Sequence, residues 1–64
     1  MSARDLIIEF SKELNRTQEQ QEKFLETLDE EAIETVDDLR EFSYQELKNL
    51  GFPAMMIKKI QKRI

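Results

Sequence analysis

Thr35-Val36-Asp37-Asp38-Leu39-Arg40-Glu41-Phe42-Ser43-Tyr44-Gln45-Glu46-Leu47-Lys48-Asn49-Leu50-Gly51-Phe52 spells two short helices set end to end and closed by a stop. Thr35 reads as an N-cap, with Asp37 and Asp38 in the first turn, where the helix dipole favours negative charge. Leu39 and Phe42, three apart, share one apolar face. Ser43 caps again. Ser43-Tyr44-Gln45-Glu46 is a capping box, in which the hydroxyl and the glutamate each satisfy one orphan N–H. Leu47 and Leu50 supply the second apolar face, and Gly51 stands where a helix C-terminus needs positive φ. Pro53 follows at a position where a new helix starts without wasting a donor. One continuous helix is excluded.

The chain on either side extends the pattern. Ser2 caps a first helix over about residues 3–14, with Asp5 three residues on and Leu6, Ile7, Phe10 and Leu14 at helical spacing; Ile8 widens the stripe. Asn15-Arg16 breaks it. Thr17 opens a second capping box with Gln20, and Phe24, Leu25 and Leu28 form that helix's buried edge, with Glu19 to Glu22 as a solvated face. Asp29-Glu30-Glu31 reads as a helix end or a fresh start, with Ala32, Ile33 and Val36 leading back into the core. A last helix covers about residues 53–64, with Ile57, Ile60 and Ile64 inward and the lysines outward. No segment alternates as a strand does. The expectation is an all-α, small five-helix bundle, a single domain over residues 1–64, self-standing or cut from a larger protein.

Composition narrows the chemistry. A chain of 64 residues buries only roughly 60% of its unfolded surface, so its stability is modest. Cysteine, histidine and tryptophan are absent, which removes disulfides, thiolate metal sites and Ser-His or Cys-His nucleophiles. Adjacent acids such as Asp37 and Asp38 could in principle do acid–base work, but that needs a dry concave pocket, for which a helical bundle of this size rarely has room. Asp29-Glu30-Glu31 lacks the alternating oxygen ligands and central glycine of a calcium loop. No apolar run approaches the ~20 residues of a membrane span, and the charged N-terminus is no signal peptide. A non-enzymatic intracellular module, cytoplasmic or nuclear, is expected, with no cofactor, no metal and no membrane insertion.

Charge is unevenly divided. The net charge is −4, yet residues 1–52 hold all fourteen acids against six Lys and Arg. Residues 53–64 hold Lys58, Lys59, Lys62 and Arg63 and no acid. An acidic body thus carries a basic last helix. Bases in a final turn complement the dipole, which accounts for Lys62 and Arg63 better than for Lys58 and Lys59.

From Phe24 to Ile64 the chain resembles a sterile alpha motif (SAM) domain. Phe24 and Leu28 match that family's second helix, and Ile33 follows. Leu39, Phe42, Ser43, Leu47, Leu50, Gly51 and Phe52 match its L-x-x-L-t-x-x-x-L-x-x-L-G-I run, with Ile57, Ile60 and Ile64 behind. Phe10 stands where the family commonly has tryptophan, the connection between the first two helices is longer, and Pro53-Ala54-Met55-Met56 replaces a Gly-containing turn. The resemblance implies a protein–protein interaction module that associates head to tail. Its acidic surface would be Asp29, Glu30, Glu31, Asp37, Asp38 and Glu41. The opposing surface would be Pro53, Met55 and Met56, with Lys58, Lys59 and Lys62 around them. The implied partner is another SAM-like domain, either this chain itself or a different one. No more than one of the two adjacent methionines is expected to be exposed, and the alternative is that one or both fill the core.

Two alternatives stand beside it. Some SAM-like domains bind RNA through the last helix, and Lys58, Lys59, Lys62 and Arg63 would be that footprint; the acidic body and the lack of a stacking aromatic oppose it. Leu50-Gly51-Phe52-Pro53 also resembles the Met-Gly-Phe-Pro loop of ubiquitin-associated domains. That loop lies between the first two of three helices, and here the sequence ends one helix after it.

Overall fold

Hydrogen bonding at the helix ends sets the order α1 (Ala3–Glu13), α2 (Gln18–Glu30), α3 (Val36–Arg40), α4 (Tyr44–Asn49) and α5 (Ala54–Arg63). The computed structural model describes Ser2 to Ile64, and among those residues there is no strand. The chain is the all-α five-helix bundle expected of its sequence.

Four of the helices open on a side-chain cap. Ser2 Oγ accepts from Asp5 N–H at 3.1 Å. Thr17 and Gln20 exchange the two bonds of a capping box at 3.1 and 3.0 Å, and Ser43 and Glu46 do so at 3.1 and 2.9 Å. Thr35 forms a third box, which the sequence pattern showed only as a cap followed by acids. Asp38 N–H donates to Thr35 Oγ1 at 3.1 Å, and the Asp38 carboxylate accepts from the N–H groups of both Thr35 and Glu34. Each such cap is worth ~1 kcal/mol. Helix α5 differs: Pro53 stands outside it as the N-cap, and no side chain caps its first turn.

Three helices end the same way. After α1, Asn15 N–H donates to Lys12 O and Arg16 N–H to Ser11 O; after α2, Ala32 to Asp29 and Ile33 to Leu28; after α4, Gly51 to Lys48 and Phe52 to Leu47. These are the paired bonds of the Schellman motif, which needs a residue of positive φ. Asn15, Ala32 and Gly51 supply it, at φ 55°, 56° and 105°. Ala32 is therefore an exposed turn residue rather than a lead into the core.

One cluster of apolar side chains joins all five helices. Helix α1 is its hub, burying Ala3, Leu6, Ile7 and Phe10 and packing against α2, α3 and α5. Around it lie Leu25, Leu28, Ile33, Leu39, Leu47, Phe52, Met56, Ile57 and Ile60. Phe24, half-buried, sets its ring 5.7 Å from that of Phe52, which fastens α2 to the turn before α5. Ser11 is fully buried without cost, because its hydroxyl donates to Ile7 O at 2.7 Å. The backbone of Ala3 donates to Glu34 O, and Ser2 pairs with Thr35, so the loop that Asp38 holds also holds the start of α1.

Candidate functional site

The two surfaces expected from sequence lie at different helix ends. Asp29 and Glu30 close α2, Glu31 is its C-cap, and all three are exposed. They sit at the negative end of the helix dipole with no base in the last turn, an arrangement that costs free energy unless a cation meets it. Asp37 and Glu41 are exposed at the two ends of α3, and Asp37 lies 3.4 Å from Arg40 one turn on. Asp38 has structural work instead. The N–H groups of Glu34 and Thr35 hold its carboxyl below the ordinary carboxylate range. Its negative charge belongs to the α3 cap, so it is not a free member of the acidic surface. Arg4 adds a base near this corner, lining a shallow groove with Ser2, Leu28, Asp29, Ile33 and Glu34.

At the other end the structure parts the two methionines. Met55 is 56% exposed, the one exposed large hydrophobic among the described residues, whereas Met56 is fully buried. Met56 therefore leaves the docking surface for the core, since adjacent helical residues point about 100° apart. Pro53 is half-buried. Met55, Lys58, Lys59, Gln61 and Lys62 line an open groove of about 370 Å³.

The four bases of α5 divide by partner. Lys59 Nζ is 3.5 Å from Glu13 Oε1, and an Arg63 guanidinium nitrogen donates to Glu9 Oε2 at 3.1 Å. The Arg63 guanidinium also lies 5.5 Å from the centre of the Phe10 ring. Each such exposed pair is worth ~0.2–1 kcal/mol, and together they staple α5 to α1. Lys58 and Lys62 are exposed and enter no ion pair among the described residues. Of the four bases of α5, two thus stand unpaired among the described residues. Glu9 and Glu13, four apart as Lys59 and Arg63 are, escaped the sequence reading; the matching spacing was visible, but not that the two helices face each other. The Leu50–Pro53 corner has three helices before α4, unlike the ubiquitin-associated arrangement.

No group of three or more metal-ligating side chains occurs among the described residues, and no helix there is long and apolar enough to cross a membrane. No family model matches the chain, and no curated protein or solved structure matches it.

Proposed function

We propose that this chain is a non-enzymatic protein–protein interaction module of SAM type, acting in the cytoplasm or nucleus. In this reading an acidic surface at the α2–α3 corner of one domain meets the start of α5 of another, in self or heterotypic association. The observation that carries it is the start of α5. Met55, the one exposed large hydrophobic among the described residues, stands there on a helix with no side-chain cap and no first-turn acid, next to Lys58 and Lys62. Free N–H groups and the positive dipole end attract carboxylates, the lysines steer them, and a flexible thioether fits an irregular apolar contact. The opposing surface is Asp29, Glu30, Glu31, Asp37 and Glu41, with unfavourable charge at the end of α2 that a cationic partner relieves.

The test is sedimentation velocity of the chain alone, and mixed with a panel of other SAM-like domains and with a short RNA hairpin. The expected result is a protein complex that Met55→Glu and Lys62→Glu each abolish while melting temperature holds. No protein complex in any mixture, or one indifferent to both substitutions, overturns the reading. Hairpin binding lost with Lys58→Glu, without any protein complex, replaces it with nucleic-acid recognition.

A further inference from the structure

The outer face of α2 has no use within the molecule. Glu19, Glu22, Glu26 and Glu30 are all exposed and recur at intervals of three, four and four residues, so they form one stripe along the helix. Lys23 is the only base in α2, and none of the four glutamates enters an ion pair among the described residues. Glu22 accepts only a long bond from the Gln18 amide, at 3.4 Å. Like charges four apart on a helix repel, and Lys23, which stands in the same stripe four after Glu19 and three before Glu26, offsets only part of that cost. On α5, Met55, Lys58 and Lys62 recur at three and four residues, and they too are exposed.

We infer that the outer face of α2 in a second copy of this chain is the acidic surface that docks on the Met55–Lys62 face of α5. The inference rests on the reading of that α5 face as a docking surface; it names a second copy as the partner and, of the acidic corner, keeps Glu30 while moving the rest of the contact onto the α2 face. The molecule already contains the pairing rule. Where α1 meets α5, carboxylates four apart, Glu9 and Glu13, face bases four apart, Arg63 and Lys59, in antiparallel register. The same register between copies sets Glu22 against Lys62 and Glu26 against Lys58, each pair about 6 Å further along its helix than the next. Glu30, at the negative end of α2, then reaches the uncapped start of α5 beside Met55, so each dipole end meets its opposite. The two faces lie on different helices of one copy, so the contact is heterologous and propagates unless it closes into a ring.

The experiment is sedimentation velocity of the full chain over a hundredfold concentration range at about 0.15 M salt. There the Debye length of ~8 Å screens the repulsion between two net-negative copies but spares contact pairs. Association is expected to grow with concentration and fade at high salt. Glu26→Lys and Lys58→Glu are each expected to weaken it at least about tenfold by setting like charges together. An equimolar mixture of the two variants should associate as the parent chain does, because every junction between unlike copies again sets opposite charges together, and the doubly exchanged chain should associate again for the same reason. Melting curves of each variant identify one that has merely unfolded, and Glu22→Lys with Lys62→Glu provides an independent exchange. Association lost with Asp37→Lys or Glu41→Lys but kept with Glu26→Lys and Glu22→Lys overturns the inference and leaves the docking reading standing. A monomer that still binds another SAM-like domain through Met55 overturns it in the same way. No protein complex in either setting overturns both.

Discussion

Gly51 and Ala32 occupy equivalent positions after α4 and α2, and exchanging their residue types has unequal consequences. Gly51 has φ +105°, and a Cβ built there meets nothing within 4 Å. The cost of Gly51→Ala is therefore conformational, with no clash to add. A left-handed conformation costs an L-residue ~1–2 kcal/mol, and φ +105° lies well beyond the left-handed well near +57°, which places the strain at the upper end. Alanine returns ~0.4–1 kcal/mol by stiffening the unfolded chain. The net loss is ~1–1.5 kcal/mol, read as a fall of about 4–12 °C in Tm for a domain of this size. Gly51→Val loses more, being β-branched at positive φ. Ala32, at φ 56°, already bears the left-handed penalty. Ala32→Gly relieves ~1 kcal/mol of strain and gives back a similar amount in unfolded-state entropy, so it is neutral to slightly stabilising. Urea titration followed by helical circular dichroism measures both. An unchanged midpoint for Gly51→Ala, a loss above about 3 kcal/mol there, or a clear destabilisation by Ala32→Gly refutes the reasoning, because each requires contacts the turns do not have.

Three further outcomes separate structure from surface. Met56→Ala should cost ~2–5 kcal/mol, as for any fully buried methionine, while Met55→Ala leaves the urea midpoint almost unmoved. Asp38 titrates below its ordinary 3.8 in the folded state because backbone N–H groups favour the carboxylate. Its stabilising contribution is therefore complete above the ordinary value and is lost as pH falls through the lowered one; thermal melts from pH 6 to pH 2 should show a shallower acid limb for Asp38→Asn than for the parent chain. A double-mutant cycle on Glu13 and Lys59 should give a coupling of ~0.2–1 kcal/mol that shrinks with salt, and a salt-insensitive coupling would mean that packing, not charge, joins α1 to α5 there.

Helix starts and the main core stripes were legible because the interactions that make them span three or four residues of one chain. Thr17 with Gln20 and Ser43 with Glu46 could be read as closed boxes, and Gly51 could be read as a left-handed stop, from residue type and spacing alone. Leu6, Phe10, Leu28, Leu47, Ile57 and Ile60 were legible as core by their period. The box at Thr35 was half visible, because Asp38 is one methylene shorter than the usual glutamate and its reach depends on the loop geometry at Glu34. Asn15 and Ala32 were invisible as left-handed residues. Neither type demands that conformation, and it is imposed by the packing of the helices they follow.

The tertiary structure decided everything that depends on which helices are neighbours. It made α1 the hub, although the Thr35–Phe52 corner carries the denser local signals. It sent Met56 inward and Met55 outward, a choice set by the rotation of α5 about its own axis against α1 and α4. It also assigned Lys59 and Arg63 to Glu13 and Glu9 while leaving Lys58 and Lys62 to solvent. Composition and spacing specify a helix's ends and its apolar stripe; a charged residue's partner is specified only when folding brings a second helix within the few ångströms over which an ion pair acts.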